Sequence, residues 1–393
     1  MWLSYCWLHP GSPHYRKEPI LRVLHVHSGN LYGGVETILV TLARYRDLCP
    51  QMESHFALCF EGRLTEELTA AGAPVYGLGR VRLRNPASIR RARRVVRRLL
   101  DENRFDLSVC HSGWSRAIFG PVFRSAGLPL VSWCHDASGK RNWLDRLSDR
   151  TPPDLAVCNS AFTASGLGQR YQGLRSEVVY CPVASDQAFS DRDRRAIRNE
   201  MHAPQGATVI IQASRMESWK GHALHLEALH LLRGLPDWIC WLVGGAQRRQ
   251  ETEYLEELKR LAGRLGIADR VRFLGKRSDV PRLLSAADIY CQPNVKPEPF
   301  GIVFIEALYA RLPIVTTALG GACEIVNGSC GILVPPRDRI ALASSLRRLI
   351  VDADLRAKLA AAAPDRAQEL CEPVRQMRRI AEVFSSAAGQ VVR

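Results

Sequence analysis

Short apolar runs recur along the chain at a steady interval. In the first half they fall at 21–27, 55–60, 74–78, 105–111, 129–135, 155–159 and 177–181. In the second half they fall at 208–213, 239–244, 271–274, 289–293, 313–316 and 331–334. Most are continuous rather than alternating, the pattern of a strand buried on both faces. Longer segments with apolar residues at helical spacing lie between them, so the sheets are expected to be parallel and covered on both sides. Two such series in tandem predict an α/β protein of two Rossmann-like domains, joined in the polar stretch 186–198. The expected organisation is a poorly ordered leader at 1–19, a first domain at 20–190, a second at 191–372 and a helical tail at 373–393. Val374, Met377, Ile380, Ala381 and Phe384 give that tail its apolar stripe. Open α/β sheets bind ligands beyond the carboxyl ends of their strands, so the cleft between the two sheets is the expected site.

One stretch carries the chemistry. From Lys296 to Val334 the chain reads as loop, helix, strand, glycine loop and strand. The helix, expected over 302–310, is apolar almost all round and therefore buried, yet it carries Glu306. A carboxylate is costly to bury without a partner. Glu298 stands in the loop that feeds the helix, and Phe300, Gly301 and Ile302 turn the chain into it. The first N–H groups of the helix have no partner within it and favour an anion, which Gly301 lets approach closely. Gly301 to Glu306 spans about 7.5 Å along the axis, which suits a ligand with a charged centre and hydroxyl-bearing arms. Without further context, a core glutamate satisfied by its neighbours is the commoner reading.

Other candidates sit where strands are expected to end. Arg215 and Lys220 follow the first strand of the second half, and two cations on one loop suit a diphosphate. A solvated basic loop is the plainer reading of such residues by themselves. Gly33 and Gly34 join a strand to a helix, where backbone N–H groups can meet phosphate, but the spacing is not G-x-G-x-x-G. Gly245 lies in a similar turn, for which a tight turn and nothing more is an equal reading. His111 and His135 each end an expected strand, and a hydrogen-bonded structural histidine is the alternative for His111.

The spacing of Glu298 and Glu306 closely resembles the E-x7-E signature of retaining glycosyltransferases of family four, which have the GT-B fold. The match continues through Leu312-Pro313-Ile314-Val315, Gly320-Gly321, Glu324-Ile325-Val326 and Gly331-Ile332-Leu333-Val334. It is specific over about 208–335 and weaker over 21–183. The resemblance implies two facing Rossmann-like domains, with a terminal helix crossing back to the first. It implies a nucleotide-diphosphate sugar as donor, a glycan or lipid-linked hydroxyl acceptor, retention of configuration, and no metal or other cofactor. On the same ground Glu298 holds donor-sugar hydroxyls, Glu306 the ribose, and Arg215 and Lys220 the diphosphate. Gly33 and Gly34 face donor phosphates and acceptor, His135 faces sugar and acceptor, and His111 lies on the acceptor side. Backbone around Lys276 meets the base, and Gly245, Phe300, Gly301 and Ile302 complete the expected donor-binding set. Ser214 and Arg311 stand where the family usually has glycine. The family's Asn-Gly-Val-Asp turn is replaced by Cys181-Pro182-Val183-Ala184-Ser185-Asp186. That departure keeps open an alternative, a nucleotide-sugar-binding partner subunit without transferase activity.

Composition narrows the partners. A net charge of +15 implies anionic ones, while the lack of an aromatic-basic RNA motif speaks against nucleic acid. From Arg80 to Leu100 there are nine arginines and no acidic residue, over an apolar stripe that includes Ala92, Val96 and Leu99. This helix is either a core-packed element with a solvated face or a docking face for anionic lipid. The twelve cysteines are scattered without a C-x-x-C pair, so zinc spacing is absent and a reducing cytoplasm is expected. No apolar run reaches the roughly eighteen residues of a spanning helix. The expected location is cytoplasmic, with a peripheral place on the inner face of the membrane as the alternative if the arginine face docks on lipid.

Overall fold

A computed structural model of the chain describes residues 20–28, 32–136, 143–168, 171, 173–184 and 190–390. The expected leader at 1–19, part of the first glycine loop and part of the expected join fall outside the described residues. Every apolar run in the pattern forms a strand, with ends shifted by up to three residues. The first series gives β1 (Leu21–His27), β2 (Met52–Leu58), β3 (Val75–Gly77), β4 (Leu107–Cys110), β5 (Leu130–Cys134), β6 (Leu155–Cys158) and β7 (Ser176–Val178). The second gives β8 (Thr208–Ala213), β9 (Trp238–Val243), β10 (Val271–Gly275), β11 (Ile289–Gln292), β12 (Ile314–Thr317) and β13 (Gly331–Val334).

They form two parallel sheets, ordered β3-β2-β1-β4-β5-β6-β7 and β10-β9-β8-β11-β12-β13. The central strands are buried along their whole length, as TVIIQA in β8 and WICWLV in β9 illustrate. In each sheet the strand order reverses once, between β1 and β4 and between β8 and β11. Such a reversal leaves a crevice beyond the carboxyl ends of the two strands, because their connections leave in opposite directions. The loops leaving those four strands carry Gly33 and Gly34, His111, Arg215 and Lys220, and Glu298 respectively.

Asp191–Glu200 forms a helix that packs against the Val280–Ala286 helix of the second sheet. The last helix, Pro373–Gln390, leaves the second half and packs on the first sheet. Its Phe384 is fully buried, with its ring 6.0 Å from that of His25 and 5.8 Å from that of Trp133. Burying a phenylalanine contributes about 2–3 kcal/mol, so this helix is bound firmly to the first sheet. Where the chain passes from the first half to the second, Val183 N–H donates to Cys371 C=O at 2.9 Å. The two crossing segments therefore lie side by side.

In the arginine-rich stretch the helix runs Pro86–Glu102, with the Asn85 side chain accepting from Ser88 N–H and proline in its first turn. Ala92, Val96 and Leu99 enter the core, and Arg93 is tied to the Ile118 carbonyl at 2.6 Å. Arg90, Arg91, Arg94, Arg97 and Arg98 are exposed. Among the described residues no helix is long and apolar enough to cross a membrane.

Candidate active site

The helix expected over 302–310 spans Ile302–Tyr309. Its entry depends on glycine, because Gly301 has φ +98° and an added Cβ would lie 2.5 Å from the Phe304 ring. The loop before it is anchored from behind. Glu298 pairs with Gly320 as a parallel bridge, and Gly321 N–H donates to the Glu298 carbonyl at 2.7 Å. A Cβ on Gly320 would stand 2.3 Å from that carbonyl oxygen, so the Gly320-Gly321 pair is required by close approach of two backbones.

The Glu298 carboxylate is asymmetric in its surroundings. Lys220 Nζ donates to Oε2 at 2.5 Å, Asn294 at 3.2 Å and Gln292 at 3.3 Å. Among the described residues none donates to Oε1. The protein thus fixes one oxygen of the pair. Lys220 is placed by Gly221, whose φ is +77° and whose missing Cβ would collide with the Pro293 carbonyl at 1.8 Å. Arg215 at the other end of this loop pairs with Glu217 at 3.0 Å and stays partly exposed. Ser214, standing where glycine was expected, is accommodated by a hydrogen bond to His222 Nε2 at 3.1 Å.

Arg215 and Glu306 line one cleft between the two sheets, with a volume of about 630 Å³, together with Gly33, Gly245 and Lys276. Among the described residues the Glu306 carboxylate has no hydrogen-bond partner. The helix exposes part of it to the cleft, but protein atoms crowd it, and this desolvation pushes its pKa up to about 7. The Gly33 loop is held by Glu36, which accepts from Gly33 N–H at 2.8 Å and from His27 Nε2 at 2.7 Å. Gly34 brings this loop against the second domain: an added Cβ would sit 4.0 Å from Ile302.

One expected contact is corrected. His111 does not face the cleft; it is 2% exposed and both ring nitrogens are engaged, by His25 at 2.9 Å and His135 at 3.0 Å. The Phe300 side chain is buried against Tyr180, ring centroids 5.4 Å apart, so only its backbone can reach a ligand. Ile302 lines a smaller cavity of about 310 Å³ behind Glu306 rather than the main cleft. His135 is buried at the end of β5, and burial lowers its pKa to about 3, so it is a neutral imidazole.

Several residues of the site escaped the sequence reading. Asp136 is exposed after His135, and its pKa is raised by desolvation against the opposing pull of Arg215, with Glu298 adding to the rise. It therefore feels both a cationic and an acidic group of the second domain. Glu324 reaches across the domains: its carboxylate accepts from Ala161 N–H at 2.8 Å and Phe162 N–H at 2.7 Å, capping the Ala161–Gly168 helix, and from Tyr180 Oη at 3.0 Å. Ser160 Oγ donates to the Pro299 carbonyl at 2.5 Å beside it. The only local signal for Asp136 was its place after a strand-ending histidine. Glu324 stood in the matched motif, but nothing local names its partners. Among the described residues no three His, Cys, Asp or Glu side chains are grouped to hold a metal ion.

The family model described as Glycosyl transferases group 1 matches residues 193–366, and that of Glycosyltransferase Family 4 matches 32–187. A D-inositol 3-phosphate glycosyltransferase of Salinispora tropica is 30% identical over 67% of this chain and 60% of its own. The chain thus spans about 60% of that relative's length. A phosphatidyl-myo-inositol mannosyltransferase of Mycolicibacterium smegmatis is 28% identical over 93% of this chain and 94% of its own. The crystal structure of Anabaena HepE in complex with UDP-glucose superposes with a TM-score of 0.82 at 27% identity, covering 93% of this chain and all of that one. WaaG, a glycosyltransferase involved in lipopolysaccharide biosynthesis, shares the fold at a TM-score of 0.69 and 19% identity, over 93% of this chain and 99% of its own.

Proposed function

The chain belongs to the family-four glycosyltransferases with the GT-B fold, and from that premise we propose that it transfers a hexose-type sugar from a nucleotide-diphosphate donor to a hydroxyl acceptor, with retention. One observation carries the reading: Arg215, Glu306 and the Gly33 loop line one cleft from both domains, and the Glu298–Lys220 pair stands in the loops that leave β8 and β11, the strand-order reversal that also carries Arg215. In this reading the diphosphate lies against Arg215 and Lys220, and the ribose hydroxyls donate to Glu306. The free Oε1 of Glu298 accepts from a hydroxyl of the donor sugar, which orients the ring for attack. The bond from the sugar's anomeric carbon to the diphosphate breaks, the acceptor oxygen bonds to that carbon on the same face, and the acceptor's hydroxyl proton passes to the departing phosphate. Charge gathers on the departing phosphate, where preorganised cations stabilise it most. Lys220 then exchanges part of its pairing with Glu298 for phosphate. The reaction runs without a metal, so activity is expected to persist in a chelator.

Relatives named as acting on inositol phosphates and phosphatidylinositol mannosides, and the net charge of +15, support an anionic or lipid-linked acceptor. The exposed arginines of the Pro86–Glu102 helix would hold the protein at an anionic membrane, since each adds about 1 kcal/mol near such a surface. Apolar residues on that helix are committed to the core, so the attachment is electrostatic and reversible by salt. The test is nucleotide release from UDP-glucose and from GDP-mannose in the presence of inositol phosphate or phosphatidylinositol vesicles. No release with either donor, against clear thermal stabilisation by one of them, would favour a binding subunit over an enzyme.

A further inference from the structure

Gln212 and His225, which no motif singled out, tie down from beneath the loop that carries Arg215 and Lys220. Gln212 is the last but one residue of β8, and His222 and His225 stand one turn apart in the helix His222–Leu231. All three side chains belong to residues that are 0% exposed. Gln212 Nε2 donates to the Lys220 carbonyl at 2.9 Å, and its Oε1 meets His225 Nδ1 at 2.9 Å. The same amide nitrogen stands 3.5 Å from Ser214 Oγ, which meets His222 Nε2 at 3.1 Å. Gln212 thus reaches both ends of the loop at once. At the near end Ser214 and Arg215 line the cleft, and at the far end Lys220 pairs with Glu298.

The directions of these bonds follow from one fixed point. The Lys220 carbonyl can only accept, so an amide N–H of Gln212 faces it and Oε1 faces away. That oxygen also only accepts, so His225 donates from Nδ1. Burial lowers the pKa of His225 to about 3, so the ring is neutral, and its Nε2 is a lone pair without a partner. Buried polar side chains with an unmet nitrogen are a costly filling between a sheet and a helix, where apolar side chains of the same shape would serve as well or better. What they add is direction. The Lys220 side chain is long and flexible, and among the described residues its ammonium meets Glu298 and, at 4.0 Å, the ring of Trp219. Its place therefore depends on the backbone beneath it, where Gln212 is attached.

We propose that Gln212, oriented by His225, is a positioning residue that sets the backbone of Lys220, and with it the place of the ammonium, during sugar transfer. The proposal rests on reading the cleft as the sugar-transfer site. Without the His225 N–H, the amide loses the partner that orients it and can turn its oxygen on the Lys220 carbonyl.

His225→Asn and His225→Leu test it, because asparagine keeps an N–H towards Gln212 Oε1 and leucine does not. His225→Leu is expected to lower kcat about 3- to 10-fold, the worth of one neutral hydrogen bond, with donor KM changed less than kcat. His225→Asn is expected to restore kcat. Gln212→Met, which keeps the shape and removes both amide groups, is expected to match the leucine variant. Equal kcat in His225→Asn and His225→Leu, or a loss carried by KM alone, overturns the positioning role. A second readout needs no activity: the 15N ammonium resonance of Lys220, assigned by Lys220→Arg. It is expected to move in His225→Leu and Gln212→Met and to return in His225→Asn. The same resonance in the parent and all three variants overturns the proposal. Should no sugar transfer be found at all, the functional reading fails, and the ammonium resonance still decides whether Gln212 sets Lys220.

Discussion

Glu306 gives the most discriminating test of how this cleft works. Its pKa is pushed from an ordinary 4.5 up to about 7 by desolvation. In the proposed role Glu306 accepts from the ribose hydroxyls, so donor binding there would need the ionised form. Below pH 7 binding must first remove a proton, at about 1.4 kcal/mol per pH unit. Donor affinity is therefore expected to level off above about pH 7.5 and to fall roughly 30-fold by pH 5.5. The empty protein shows the opposite trend. Because the folded pKa lies above the unfolded one, the contribution of this group is fully present below the unfolded value and is lost as pH rises through the folded value. The difference of about 2.5 units makes the loss about 3 kcal/mol. Glu306→Gln should then be more stable than the parent at pH 8 and should bind donor 30- to 150-fold more weakly there, the worth of about 2–3 kcal/mol of charged hydrogen bonds. Its affinity should no longer change between pH 5.5 and 8. Titration calorimetry of both proteins across that range, with Asp136→Asn as the control for the other raised carboxyl, reads every quantity. A pH-independent parent affinity, or a Glu306→Gln protein that keeps the slope, would refute the assigned role.

Other outcomes follow from the same geometry. Arg215→Ala and Lys220→Ala should each lower kcat about 100-fold or more, since leaving-group charge is greatest in the transition state; steady-state kinetics with saturating donor measures this. Gly221→Ala forces a Cβ into the Pro293 carbonyl at 1.8 Å, and denaturant unfolding should show a loss of at least about 3 kcal/mol together with weaker donor binding. Arg311 sits at φ +59° just past the Ile302–Tyr309 helix, so Arg311→Gly should raise stability by about 1 kcal/mol in the same assay. Glu324→Ala removes a cap that crosses the domains, and small-angle scattering should report a more open particle, with a stability loss of about 1–2 kcal/mol.

The strands were readable because a parallel strand covered on both faces must be apolar throughout, and this needs no knowledge of its neighbours. Glycine positions such as Gly301 and Gly320 were readable through the motif, and the structure supplies their reason: a positive φ or a backbone neighbour too close for a Cβ. What escaped depends on partners far away in sequence. His25 looks like any residue inside a strand until the register of β1 beside β4 places it against His111, 86 positions on. For the same reason His111 was read as facing the acceptor when it is the middle of a buried line. Glu324 was visible as a matched letter, but its work lies in a helix 163 positions earlier.

The paired crossing at Val183 and Cys371 limits how this molecule can move. A single linker would let one lobe swivel freely on the other. Two adjacent tethers, with the tail of one lobe embedded in its neighbour, leave a book's freedom: the covers swing about the spine but cannot spin. Each opening should then return Arg215 and Glu298 to the same place opposite Asp136, so that registry between the halves survives every turnover.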